Sequence, residues 1–139
     1  MRAQSSRVLA LAIALAASIS SAPLLARDDD KHGADRLAKL LGDRVAGKPV
    51  DCVSLRQLGS STIIDGSAIA YEAGGTIFVN RPGSGADALE DDYDTILVTS
   101  SPLSQLCKLD SVRLVSRTTG IYKGFVTLDA FVPYRRPKR

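Results

Sequence analysis

Histidine occurs once in this chain, cysteine twice and tryptophan not at all. Each scarcity removes a class of chemistry. The only histidine, His32, lies in a charged stretch without apolar anchors, which leaves a Ser-His-Asp or Cys-His nucleophile without its base and a zinc site without enough ligands. Aromatic residues are few: Tyr71, Phe78, Tyr93, Tyr122, Phe125, Phe131 and Tyr134 are scattered and do not alternate with basic residues, so the stacking platform of a nucleic-acid binder is missing. Charge of one sign is lacking too. With 18 basic and 15 acidic residues the net charge is only +3. Long apolar runs are absent except for Val8 to Ile19, whose 12 residues fall short of the span a bilayer needs.

That run has a purpose when read with its flanks. Arg2 and Arg7 precede it, and Ser20 to Ala26 closes it with small residues, the layout of a secretory signal peptide. Cleavage is expected after Ala26, because a cut after Ala22 would place Pro23 next to the scissile bond. The first cysteine is Cys52, so no lipid attachment site adjoins the cut, and no transmembrane anchor is expected after cleavage. The expected location is periplasmic or extracellular. Loss of Arg2 and Arg7 leaves 16 basic against 15 acidic residues. Arg135, Arg136, Lys138 and Arg139 crowd the end of the chain as a basic tail over 135–139, so the remainder is mildly acidic.

In an oxidising compartment Cys52 and Cys107 are expected to join, the alternative being two unpaired buried cysteines. No C-x-x-C pair points to redox catalysis.

Along the chain, Arg27 to Gly33 reads as a disordered leader and 34–134 as one domain. Leu37, Leu40, Leu41 and Val45 recur at helical spacing and predict a helix over 34–46, followed by Gly47-Lys48-Pro49. From there on the sequence turns to short runs of Val, Ile, Thr, Tyr and Phe between Gly, Asp, Asn and Pro. Strands are predicted at Cys52 to Leu58, Ser61 to Ile64, Ala68 to Glu72, Thr76 to Asn80, Thr95 to Thr99, Ser111 to Arg117 and Gly124 to Phe131. Asp65-Gly66 and Gly74-Gly75 predict two successive hairpins. Ser101-Pro102 with Leu103, Leu106 and Cys107 predicts a short helical turn capped by Ser101.

The expected fold class is mainly β: a small twisted antiparallel sheet or partly closed barrel of about six to seven strands with one N-terminal helix, a two-layer β-sandwich being the competing architecture. Its core is expected to draw on Val53, Leu55, Ile63, Ile69, Tyr71, Ile77, Val79, Ile96, Val98, Val112, Leu114, Phe125 and Leu128.

Three sets of residues carry the candidate chemistry. Asp87, Glu90, Asp91, Asp92 and Asp94 make the segment Pro82 to Asp94 a weak calcium candidate, although it has neither EF-hand spacing nor the stacked copies of a glycine-aspartate repeat; a solvated loop is the simpler reading. Asp65, Asp110 and Asp129 fall near strand ends, where turn formation is the commoner role and a carboxylate-dependent hydrolase the sharper one. Tyr122, and Tyr134 with Arg135 and Arg136, are candidate contacts for a partner.

The order G-K-P-V-D-C-V-S-L-R, I-I-D-G-S-A-I-A-Y-E-A-G-G-T-I-F-V-N-R, L-C-K-L-D-S-V and G-F-V-T-L-D-A-F-V-P-Y, between Gly47 and Tyr134, resembles a family of small exported bacterial proteins of unknown function. The positions that carry the resemblance are Cys52, the Asn80-Arg81 corner, and Leu106-Cys107 before Asp110. Members of that family carry further cysteines after the corner and near the last strand, where this chain has Gly83 to Ala88 and Gly124, so no second bridge is implied. The resemblance implies export and a compact β domain, and no activity. The expected function is that of a non-enzymatic binding or envelope-associated domain without a cofactor, whose partner is an envelope or extracellular protein or glycan and not nucleic acid. An inhibitor-like module of an exported enzyme, using Pro82 to Asp94 as a wedge, is the alternative.

Overall fold

The computed structural model describes residues 28–90, 94–99, 101 and 103–138. The expected signal peptide lies outside them, as do Asp91, Asp92, Tyr93, Pro102 and Arg139. Among the described residues one helix, α1 (Asp28–Leu41), precedes ten strands: β1 (Val45–Ala46), β2 (Cys52–Ser54), β3 (Ser61–Ile64), β4 (Ala68–Ala73), β5 (Thr76–Asn80), β6 (Thr95–Thr99), β7 (Gln105–Cys107), β8 (Ser111–Ser116), β9 (Tyr122–Thr127) and β10 (Phe131–Arg135).

All pairings are antiparallel, and they fall into three sheets: β1-β10-β5-β4-β3, β6-β8-β9 and the ribbon β2-β7. The fold is mainly β, as the sequence predicts, but sandwich-like rather than a closed barrel. The period-2 alternation of the strands divides the apolar residues between two layers. One face of the five-stranded sheet offers Ile64, Ala68, Ala70, Ile77 and Val79 to Leu37 and Leu41 of α1. The other turns Ile63, Ile69, Tyr71 and Phe131 toward Leu106, Val112, Leu114 and Val126 from the smaller sheets and toward Leu128 just after β9, with Leu89 between them.

Several expectations are corrected. The helix begins at Asp28 and stops at Leu41, so the leader is not disordered over Asp28 to Gly33 and the helix does not reach Ala46. Gly33, Leu37 and Leu41, four residues apart, form the buried stripe of α1, and a glycine at its start carries no apolar signal to read. Gly42, at φ 59°, ends the helix in the left-handed region, after which Val45 and Ala46 pair with Arg135 and Tyr134. Arg135 therefore belongs to β10, and the basic tail begins one residue later than expected.

The predicted helical turn after Ser101 is instead β7: Leu106 is fully buried while Leu103 is 75% exposed, so the two leucines never share a helical stripe. The strand expected from Cys52 ends at Ser54. The strand expected from Gly124 to Phe131 breaks at Leu128 to Ala130, where the chain leaves the small sheet and enters the large one. Pro133 is tolerated inside the large sheet because its nitrogen faces the irregular stretch 47–49, while its carbonyl accepts the Gly47 N–H at 2.7 Å.

Candidate functional site

The small sheet has one face in the core and one in solvent, and the solvent face is unusually apolar. Register places Leu97, Leu114 and Gly124 on the inner side, and Ile96, Val115 and Tyr122 on the outer, with Val98, Arg113 and Phe125 beside them. Tyr122 is 56% exposed and Phe125 50%, while Ile96, Val98 and Val115 are half-buried around them. Ile121, just before β9, is 64% exposed. The sequence places Ile96, Val98 and Phe125 in the core, and the structure turns all three to this outer face instead. Val126 and Leu128 alternate inward, so the residue between Gly124 and Val126 must point out; that alternation is the signal in the sequence that would have found it.

A β-bulge shapes this face. Leu114 lies opposite Gly124 and Val115 opposite Tyr122, which leaves Lys123 as the inserted residue. The Lys123 ammonium donates to Thr95 Oγ1 at 2.8 Å, tying the bulge across to β6. Asp94 secures the adjoining turn. Its carboxylate accepts the Thr118 N–H at 2.9 Å, and its carbonyl accepts the Arg117 N–H at 2.6 Å. Hydrogen bonds from the Ser116 and Thr118 side chains, with the Thr118 N–H, favour the charged form and bring the Asp94 pKa down to about 2.

Among the described residues the other candidate carboxylates form no group suited to a metal ion. Asp87 and Glu90 are exposed, on and just after a short 3-10 turn at Ala86–Ala88, and Asp94 is engaged as described. Asp91 and Asp92 lie outside those residues. The segment Pro82 to Glu90 is not a projecting wedge: Ser84 bridges Thr127, and Leu89 is buried. A Cβ on Gly85, at φ 78°, would stand 2.3 Å from the Phe125 carbonyl oxygen, so only glycine lets the loop lie this close to β9.

The strand-end aspartates are each held by different partners. Asp65 faces Arg36 at 3.4 Å, Asp110 accepts the Cys107 N–H at 2.7 Å, and Asp129 pairs with Lys108 at 2.8 Å. The Lys108 hydrogen bond holds the Asp129 carboxyl below its ordinary range, with help from the Ala130 N–H, which is opposite to the shift a general acid needs. Tyr134 is half-buried against the helix side of the large sheet, and Arg135, the last residue of β10, and Arg136 after it are exposed.

Cys52 and Cys107 are directly opposite on β2 and β7 and form a disulfide. Beside it opens a groove of about 190 Å³, lined by Val53, Leu58, Phe78 and Pro133 with Cys52 and Arg135 on its wall. No helix among the described residues is long and apolar enough to cross a membrane. Comparison with protein-family models, curated proteins and solved structures found no match.

Proposed function

We propose that this chain is an exported, non-enzymatic binding domain whose contact surface is the outer face of β6-β8-β9. The observation that carries the reading is the exposure of Tyr122 and Phe125 side by side with Arg113 on an ordered sheet. Aromatic and arginine side chains supply much contact area with few degrees of freedom to lose, and they dominate binding energy at interfaces. Nothing in the core requires them to be outside. A glycine and a bulge place them there.

Export rests on the arrangement of Arg2, Arg7 and the apolar run, and on the disulfide, which fits an oxidising compartment. The partner is an envelope or extracellular protein or glycan. A photo-crosslinking residue placed at Tyr122 or Phe125 is expected to capture a defined adduct in intact cells, whereas the same residue at Lys39, on the exposed side of α1, is not. Equal capture at all three positions, or none at any, removes this face from the account.

A further inference from the structure

We propose that β6 is a self-recognition edge, through which two copies of this chain join their small sheets into one continuous six-stranded sheet. This inference is independent of the binding partner, because it rests on the backbone edge and not on the aromatic face.

The hydrogen-bond parity of the small sheet fixes what the edge offers. Arg117 N–H donates to the Asp94 carbonyl, while Ser116 N–H donates to the Ile121 carbonyl, so along β8 odd residues face β6 and even residues face β9. By the register, Ile96 and Val98 then direct their backbone groups toward β8, and Leu97 and Thr99 direct theirs away from the sheet. Among the described residues no strand or loop pairs with that side of Leu97 or Thr99. The opposite edge is treated differently: the Thr127 N–H donates to the Ser84 carbonyl at 3.1 Å and its carbonyl accepts the Gly83 N–H at 2.9 Å, with the Lys123 bulge further along.

Soluble proteins guard open edges with charge, proline, bulges or cover. Thr95-Ile96-Leu97-Val98-Thr99 has neither charge nor proline, and β6 pairs with β8 without a bulge. The segment also reads almost the same in both directions. An antiparallel two-fold through Leu97 sets Leu97 against its own copy, Ile96 against Val98 and Thr95 against Thr99, so no like charges meet and β-branched residues pair across the axis. Leu97 lies on the parity that faces outward, so the two copies exchange both Leu97 N–H to carbonyl bonds. The symmetry of the segment and the direction of its backbone therefore agree on one register.

The test is sedimentation velocity of the purified full chain, disulfide intact, over a concentration series. Wild type is expected to show a concentration-dependent monomer–dimer equilibrium. Ile96→Glu with Val98→Glu sets two pairs of carboxylates opposite each other at the axis while leaving residue 98 beside Arg113, and is expected to raise the dimer dissociation constant by at least about tenfold. Ile96→Lys with Val98→Glu makes both pairs complementary and is expected to restore dimer. Circular dichroism checks that each variant is folded. A wild type that stays monomeric to millimolar concentration, a Glu/Glu variant that still dimerises, or a folded Lys/Glu variant that fails to recover the dimer would each overturn the proposal.

Discussion

The Asn80 side chain grips the Asp129 backbone at both ends. Its Nδ2 donates to the Asp129 carbonyl at 2.5 Å, and its Oδ1 accepts the Asp129 N–H at 3.2 Å. Asn80 is completely buried at the end of β5, and Asp129 is the middle of the step that carries the chain from the small sheet into the large one. One amide thus satisfies both backbone groups of a residue between strands, where no ladder is available to do so.

Removing that grip should be severe. Asn80→Ala is expected to lower unfolding free energy by about 3 kcal/mol, since two hydrogen bonds go and a buried cavity remains. Asn80→Asp, the same in shape, is expected to do no better, because a carboxylate has no proton to offer the Asp129 carbonyl. Urea denaturation of the three proteins decides it, and an Asp variant as stable as wild type would show that the donated bond contributes little.

The Cys52–Cys107 bond closes a loop with a sequence separation of 55. In the chain-entropy account this restricts the unfolded chain by about 4 kcal/mol. Replacing both cysteines by Ala should therefore shift the denaturation midpoint sharply, and reductant should shift wild type but leave the double variant unmoved.

Asp94 predicts an acid limb. Its folded pKa, about 2, lies below the unfolded value of about 3.9, so its contribution is complete above pH 4 and is lost as pH falls toward 2. Asp94→Asn is expected to be less stable than wild type at pH 6, with the gap narrowing through that window. A gap independent of pH would place the role of Asp94 elsewhere than in its charge.

Gly85→Ala should detach the loop from β9, because the added carbon collides with the Phe125 carbonyl and the left-handed backbone is strained as well. The specific readout is amide exchange at Thr127, whose N–H donates to Ser84. Faster exchange there, with the Val112 amide still protected, is the expected pattern.

Tyr122→Ser with Phe125→Ser separates binding from folding. Both residues are half exposed, so stability should move by no more than about 0.5 kcal/mol each, while crosslinking of a partner through neighbouring positions is lost. A large fall in melting temperature would assign the two aromatics to packing instead.

Much of the fold was legible because the hairpins are local. Ile63-Ile64, Ala68 to Tyr71 and Ile77 to Val79 are short β-branched and aromatic runs, and Asp65-Gly66 and Gly74-Gly75 supply the turns between them, so β3, β4 and β5 stand where the pattern puts them. Helix and strand limits were less legible. Gly33 is a core position that no hydropathy scale registers, and Leu103 with Leu106 mimics a helical pair although only Leu106 is buried. The candidate face is misread at Ile96, Val98 and Phe125, large apolar residues in strands; for Phe125 the inward alternation of Val126 and Leu128 beside it gives the direction, with no bulge between them.

By itself the sequence determined the class of the protein: strand-rich runs with tight turns, and two cysteines able to pair. Tertiary structure alone decided how those runs are shared among sheets, that the final apolar stretch is divided at Asp129, and which residues look outward. The physical reason is range. Alternation and turn chemistry act over a few residues, whereas the choice of sheet depends on contacts such as Asn80 with Asp129, 49 residues apart, that no local pattern encodes.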